Sequence, residues 1–151
     1  MADFNGSNFA KINSVPSQKI PKGELSGKVR CLYDSFSCAQ NVYAISDKIN
    51  LGALLPKGAR VLEAVIASPS LGTTGIMQLG IAAGASEAAD PNAFINAADA
   101  GGQAVKAEMP LGSYGLGKQF SEDLQVQINF TEASDAAIGA VIQAWIYYVL
   151  D

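Results

Sequence analysis

The sequence predicts an all-β antiparallel sandwich, of jelly-roll or immunoglobulin-like type, with one short helix and an extended N-terminal arm. Three observations carry this. Residues 124–130, LQVQINF, alternate apolar and polar side chains, the period of a strand with one buried face. The run 137–150, AIGAVIQAWIYYVL, is rich in β-branched and aromatic residues and contains a glycine, which favours strand over helix. Short apolar runs punctuated by Gly, Pro, Ser and Asp recur from residue 29 onward, giving about eight strands with short connections.

Residues 1–28 read as the arm and residues 29–151 as the sandwich domain. Pro16 and Pro21 break helices in the arm, and Gly6, Gly23 and Gly27 loosen it. Its sparse apolar residues, among them Phe4, Phe9 and Leu25, predict that part of it lies along a surface. VRCLYDSFS (29–37) and NVYAIS (41–46) read as strands. KINLG (48–52) alternates, and ARVLEAVIA (59–67) is apolar on both faces apart from Arg60 and Glu63. Between these lies Pro56-Lys57-Gly58, a turn expected to pin the two flanking strands in register. GIMQLGIAAG (75–84) continues the pattern.

DPNAFINAADAGG (90–102) changes texture. Asp90 is placed as an N-cap, Pro91 as the first helical residue, and Gly101-Gly102 as a stop, so a short helix is predicted over 91–99. GQAVKAEMP (102–110) reads as a strand and LGSYGLGKQFSED (111–123) as an exposed loop. In the strand of 124–130, Leu124, Val126, Ile128 and Phe130 face in, and Gln125, Gln127 and Asn129 face out. In the last strand Ile138, Ile142, Ile146, Tyr148 and Leu150 share one face, with Val141, Trp145, Tyr147 and Val149 on the other.

Composition bounds the function. Of 151 residues, 49% are hydrophobic and only 16% charged, well below the usual quarter. Such a surface is expected to be covered by a partner or another copy. There is no histidine, which removes the commonest general base and metal ligand. The net charge of −4 is split: residues 1–30 carry five basic and two acidic side chains, residues 31–151 five basic and twelve acidic. An acidic body with no Arg-rich run disfavours nucleic acid. No apolar run is long enough to span a bilayer.

The opening MADFNGSNFAKINS lacks the apolar core of a secretory leader. A reducing cytosol is therefore expected, with Cys31 and Cys38 as free thiols, although their spacing would also allow a pair across a tight hairpin.

No constellation carries chemistry. GSYGLGK (112–118) lacks the phosphate-loop spacing. The pairs Asp90/Asp99 and Glu122/Asp123 sit where turns and element ends use carboxylates. No calcium-loop ladder is present. No catalytic residue, metal ligand or cofactor site is predicted. Trp145, Tyr147 and Tyr148 read as core residues, as interface anchors, or as a carbohydrate platform.

The runs SDKINLGALLPKGARVLEAVIAS (46–68), GIMQLGIAAGA (75–85), DPNAFINAADA (90–100) and AVIQAWIYYV (140–149) together resemble the head decoration (cement) proteins of tailed bacteriophages and their relatives. The resemblance spans roughly residues 45–150 and leaves out the basic arm. It implies a β-sandwich module that binds the outside of a capsid, often as a trimer where capsomers meet.

The expectation is a non-enzymatic virion protein, made in the host cytoplasm, that bridges subunits of a major capsid protein and forms a homotrimer. Capsid contact is expected from the arm: Phe4, Phe9, Lys11, Lys19, Lys22, Lys28 and Arg30. Trimer contact is expected from Gln125, Gln127, Asn129, Trp145 and Tyr147. The alternatives are a phage fibre, neck or tail module that binds a receptor or glycan, and a cytosolic enzyme or small-ligand β-barrel.

Overall fold

The computed structural model describes residues 28–150. Among them are eight strands: β1 Arg30–Ser37, β2 Lys48–Leu55, β3 Ala59–Ser68, β4 Ile76–Ile81, β5 Asp90–Asp99, β6 Val105–Glu108, β7 Leu124–Glu132 and β8 Val141–Leu150. They form two four-stranded antiparallel sheets, β1-β8-β3-β6 and β2-β7-β4-β5. A single apolar core lies between the sheets. Leu32, Val61, Ile66, Ile142 and Ile146 contribute from the first, and Ile49, Met77, Phe94, Val126 and Ile128 from the second. The all-β sandwich expected from the sequence is therefore present.

The alternation in β7 does what its period demands. Leu124, Val126, Ile128 and Phe130 are buried in the core, while Gln125 and Gln127 lie outside. Asn129, on the same outer side, is nonetheless buried. In β8, Ile142 and Ile146 are fully buried. Ile138 is not part of that strand: it is 61% exposed in a turn closed by Ala140 N–H to the Ala137 carbonyl, with Gly139 at φ 80°. Loop 111–123 is a loop, as read, apart from one bridge between Gln119 and Arg60.

Three local expectations need correction. Residues 91–99 are not helical; Asp90–Asp99 is an edge strand paired to β4. Pro91 sits near the start of that edge strand, where a missing N–H costs no ladder bond. Asp90-Pro91 carries a local helix-start signal, but β4 offers a long-range partner that no local signal registers. NVYAIS is a connection rather than a strand. Its bonds go to another loop: Tyr43 N–H donates to Ser134 Oγ, Ser134 N–H to the Tyr43 carbonyl, and Ser134 Oγ to the Asn41 carbonyl. The Tyr43 ring stacks on Phe130 at 5.3 Å.

The Pro56-Lys57-Gly58 turn does not make a hairpin. Ala59 N–H bonds the Pro56 carbonyl and Gly58 takes φ 82°, a turn with glycine at its third position. The strands it joins belong to opposite sheets. The turn therefore carries the chain across the sandwich and sets no register.

Bulges adjust the outer surface. The β3–β8 register shifts between Val61 and Glu63, leaving Leu62 between them 42% exposed. The β2–β7 register shifts between Asn50 and Leu54. Gly80 in β4 lies so close to β5 that a Cβ there would sit 2.1 Å from the Asp90 carbonyl oxygen. Backbone atoms of Pro91 would lie at 2.4 and 2.6 Å, and neither residue's backbone can yield without moving the edge strand. Gly80→Ala is therefore expected to destabilise the protein by about 2–3 kcal/mol, the scale of an overpacked site, measured as a lower midpoint in urea unfolding. An unchanged midpoint would show that β5 is not held against β4 here.

Candidate functional site

Each sheet turns one face to the core and one outward, and the two outward faces differ in chemistry. On the first sheet, cross-strand pairing assembles an aromatic surface. Tyr33 of β1 and Val65 of β3 both pair with Trp145 of β8. In the next row, Cys31 and Glu63 flank Tyr147. The Tyr33 and Trp145 rings lie 5.4 Å apart, the spacing of a favourable aromatic pair. Gln143 Nε2 donates to the Tyr33 hydroxyl at 2.9 Å, which fixes that ring. Tyr33 remains 50% exposed. Beside it, Glu63, Val65, Lys106, Trp145 and Tyr147 line a shallow depression of about 310 Å³. Its charges are few, and Lys106 is paired with Glu108 at 3.0 Å.

The outer face of the second sheet is covered with carboxamides. Gln127 Nε2 donates to Asn50 Oδ1 at 2.6 Å across β7 and β2. Gln78 of β4 and Asn92 of β5 both donate to Asn96 Oδ1, at 3.2 and 3.1 Å. Gln125 Nε2 donates to the carbonyls of Leu51 and Val126 at the β2 bulge. Asn129 Nδ2 is buried without a hydrogen-bond partner. It lies at a groove of about 340 Å³ lined also by Ile45, Lys48, Gln78 and Thr131.

The residues expected at one oligomer contact are thus separated. Trp145 and Tyr147 belong to the first sheet's outer face, and Gln125, Gln127 and Asn129 to the second's. They do not form one patch. Of the expected arm contacts, Lys28 and Arg30 are exposed at the start of β1. Phe4, Phe9, Lys11, Lys19 and Lys22 lie outside the described residues. The sequence reading missed Tyr33, Val65 and Gln143. Their signal is the outward phase of their strands, which acquires meaning only once β1, β8 and β3 are known to be neighbours. Cys31 and Cys38 are free, Cys31 exposed and Cys38 buried. Burial pushes the Cys38 thiol up, against a smaller opposing effect from its hydrogen bond with Tyr43.

The carboxylates considered as acid/base pairs, with Asp34 and Asp135, accept hydrogen bonds from nearby backbone groups, Asp90 from Asn92 N–H. Glu122 accepts the backbone N–H groups of Ala85, Ser86 and Glu87 at 2.7–2.8 Å. Asp123 accepts Lys57 N–H at 2.7 Å, and Asp99 accepts Gly101 N–H at 2.9 Å. Asp135 accepts both the hydroxyl and the N–H of Thr73. Asp34 reaches from β1 to Gly52 N–H of β2. These side chains tie connections to the two sheets. Among the described residues, no group of three or more Cys, Asp or Glu side chains is placed to hold a metal ion.

No family model matches the sequence, and no curated protein matches it. Solved structures share the fold. One is a chain of the cyanophage Pam1 capsid asymmetric unit, at TM-score 0.68 and 18% identity, over 92% of this chain and 97% of that one. Another is a chain of the capsid of Ralstonia phage GP4, at TM-score 0.67 and 22% identity, over 89% of this chain and 92% of that one. At these identities the likeness is one of fold.

The tied carboxylates predict a pH dependence. Hydrogen bonds from the Ser86, Glu87 and Ala85 amides hold the Glu122 carboxyl below its usual range, and those from the Thr73 hydroxyl and amide do the same for Asp135. Folded pKa values below unfolded ones contribute stability that is fully present above about pH 4, near the unfolded values, and lost as pH falls through the folded values. Glu122→Gln and Asp135→Asn should each lower the urea midpoint at pH 7. The deficit should shrink as the pH drops below about 4. A deficit constant over that range would show that the charge of the carboxylate is not what matters.

Proposed function

We propose that this chain is a non-enzymatic phage virion protein that decorates the capsid exterior and stabilises it by bridging neighbouring capsid subunits. The observation that carries this reading is the aromatic surface of the first sheet. Tyr33, Trp145 and Tyr147 stand together on a face with few charges, where Gln143 holds the Tyr33 hydroxyl. Aromatic residues of this kind are the usual anchors of protein interfaces. The likeness of fold to chains of two phage capsids supports the same assignment. The strand order β1-β8-β3-β6 over β2-β7-β4-β5 supports an eight-stranded jelly roll over an immunoglobulin-like sandwich.

The mechanism is additive burial. An interface of ordinary size buries on the order of 1,600 Å² in total, and many copies multiply the effect. A protein that binds only the assembled shell stabilises it by linkage. Residues 1–28 form an arm, and the body of residues 29–151 is the sandwich. Residue 28 leads into β1, an edge strand of the sheet that bears the aromatic face. Lys28 and Arg30 are exposed there, which supports a shared contact of the arm and this face with the major capsid protein. Phe4, Phe9, Lys11, Lys19 and Lys22 extend that contact.

A homotrimer supplies several such faces at once. Closed rings need two different patches inclined to each other, and patches on opposed faces stack copies without closing. Trp145 and Tyr147 are therefore assigned to one contact. Gln125, Gln127 and Asn129 are assigned to a separate one, weaker because Gln125 and Gln127 already satisfy Leu51, Val126 and Asn50.

Cosedimentation of the purified protein with assembled shells and with unassembled capsid protein tests this. Binding to assembled, expanded shells alone is expected. Trp145→Ala should raise Kd by about 30-fold, the effect of losing an anchor worth 2 kcal/mol. Removing residues 1–28 should weaken binding further. Failure of the wild-type chain to bind expanded shells would refute the decoration role, and unchanged binding without the arm would refute the arm contact.

A further inference from the structure

We infer that the outer edge of the second sheet, where β5 meets the loop of residues 110–118, is a binding site for a neutral saccharide. The site is independent of the aromatic face of the first sheet and does not rest on the capsid reading. Asp90, Asn92 and Asn96 of β5, with Ser113 and Tyr114 of the loop, line an open polar groove of about 400 Å³. The loop is fixed to the strand. Gly115 N–H bonds the Ala93 carbonyl at 2.8 Å, and Ser113 Oγ donates to the Phe94 carbonyl at 2.9 Å. A Cβ at Gly115 would sit 2.4 Å from the Phe94 ring, so glycine lets the loop lie flat on it.

The amides in the groove are oriented before any ligand arrives. Asn96 Oδ1 accepts from both Gln78 Nε2 and Asn92 Nδ2. That leaves Asn96 Nδ2 as a donor, with Asn92 Oδ1 as an acceptor. Asp90 Oδ1 accepts Asn92 N–H at 3.3 Å, and its second oxygen is a further acceptor. Adjacent planar donors and acceptors match the adjacent hydroxyls of a sugar ring, each of which both donates and accepts.

Tyr114 provides the apolar part. It is 57% exposed, and Lys118 Nζ bonds its hydroxyl and lies 4.1 Å from the ring centroid. Lys118 is itself anchored to Glu87 at 2.7 Å. A ring so held can receive the C–H face of a sugar at little entropic cost. The charge argues against a phosphate ligand: the groove lining contains one carboxylate, and the nearby Lys118 is already paired with Glu87. Its shallow walls mix polar side chains with Pro110 and the Tyr114 ring and lack the deep apolar pocket that a peptide side chain would fill.

The test is NMR titration of the full-length, ¹⁵N-labelled protein. The probes are methyl glucoside, methyl galactoside, N-acetylglucosamine and lactose, with glycerol and inorganic phosphate as controls. An open site predicts a Kd on the order of 1 mM for at least one sugar. Saturable shifts are expected in the side-chain amides of Asn92, Asn96 and Gln78 and in the backbone of residues 113–115. Tyr114→Ala and Asn96→Ala should each weaken binding at least tenfold. Asn96 lies on a strand surface, so its variant should keep the remaining spectrum unchanged and serve if the loop variant misfolds. The inference fails if no sugar gives saturable shifts at tenfold that Kd, if glycerol gives the same shifts, if only phosphate binds, or if folded Asn96→Ala binds as well as wild type.

Discussion

The fold depends on where the last two strands go. β8 lies between β1 and β3, and β7 lies between β2 and β4. Neither sheet has its middle until the final quarter of the chain has arrived. Each of these strands therefore carries ladder bonds on both edges and side chains on an inner face that is fully buried: Ile142, Ala144 and Ile146 in β8, Val126 and Ile128 in β7. This explains why the C-terminal segment is so apolar. It also makes nearly every pairing long-range, so formation of the sandwich waits on loop closure.

Because successive strands often change sheet, the connections must turn corners between layers, and they are pinned by side chains. Carboxylates perform much of this pinning. Glu122 gathers three amides of one loop, Asp135 holds Thr73, Asp123 holds the turn at Lys57, and Asp34 crosses from one sheet edge to the other at Gly52. The last contact also occupies an edge N–H of β2 that would otherwise invite another strand. Tyr43 and Ser134 do the same work without charge. A protein with few charged residues thus directs several of them to its own backbone, and the outer faces are left to aromatics and amides.

Those two faces divide the surface chemistry. The first sheet presents Tyr33, Trp145 and Tyr147 beside the exposed basic start of β1, a combination suited to another protein. The second presents oriented carboxamides that end at a clamped tyrosine, a combination suited to a polar ligand. They point in opposite directions, so one can be covered while the other stays open.

The sequence by itself determined the class of fold and much of the core. Period-two alternation marked β7, and dense β-branched and aromatic residues marked β8, because burial on one or both faces leaves its signature in residue type. The glycine-rich loop before β7 was legible for the same reason. Only the tertiary structure decided the rest. Asp90-Pro91 resembles a helix start until β4 offers an edge, NVYAIS resembles a strand until Ser134 takes its hydrogen bonds, and Pro56-Lys57-Gly58 resembles a hairpin turn until its strands part to different sheets. The candidate surfaces were equally hidden. Trp145 and Tyr147 could be named from their strand, but Tyr33 and Val65 join them only through pairing, and Tyr114 meets Asn96 only because a loop folds back on β5. Local sequence encodes which residues are buried; which distant residues become neighbours is set by strand order and register.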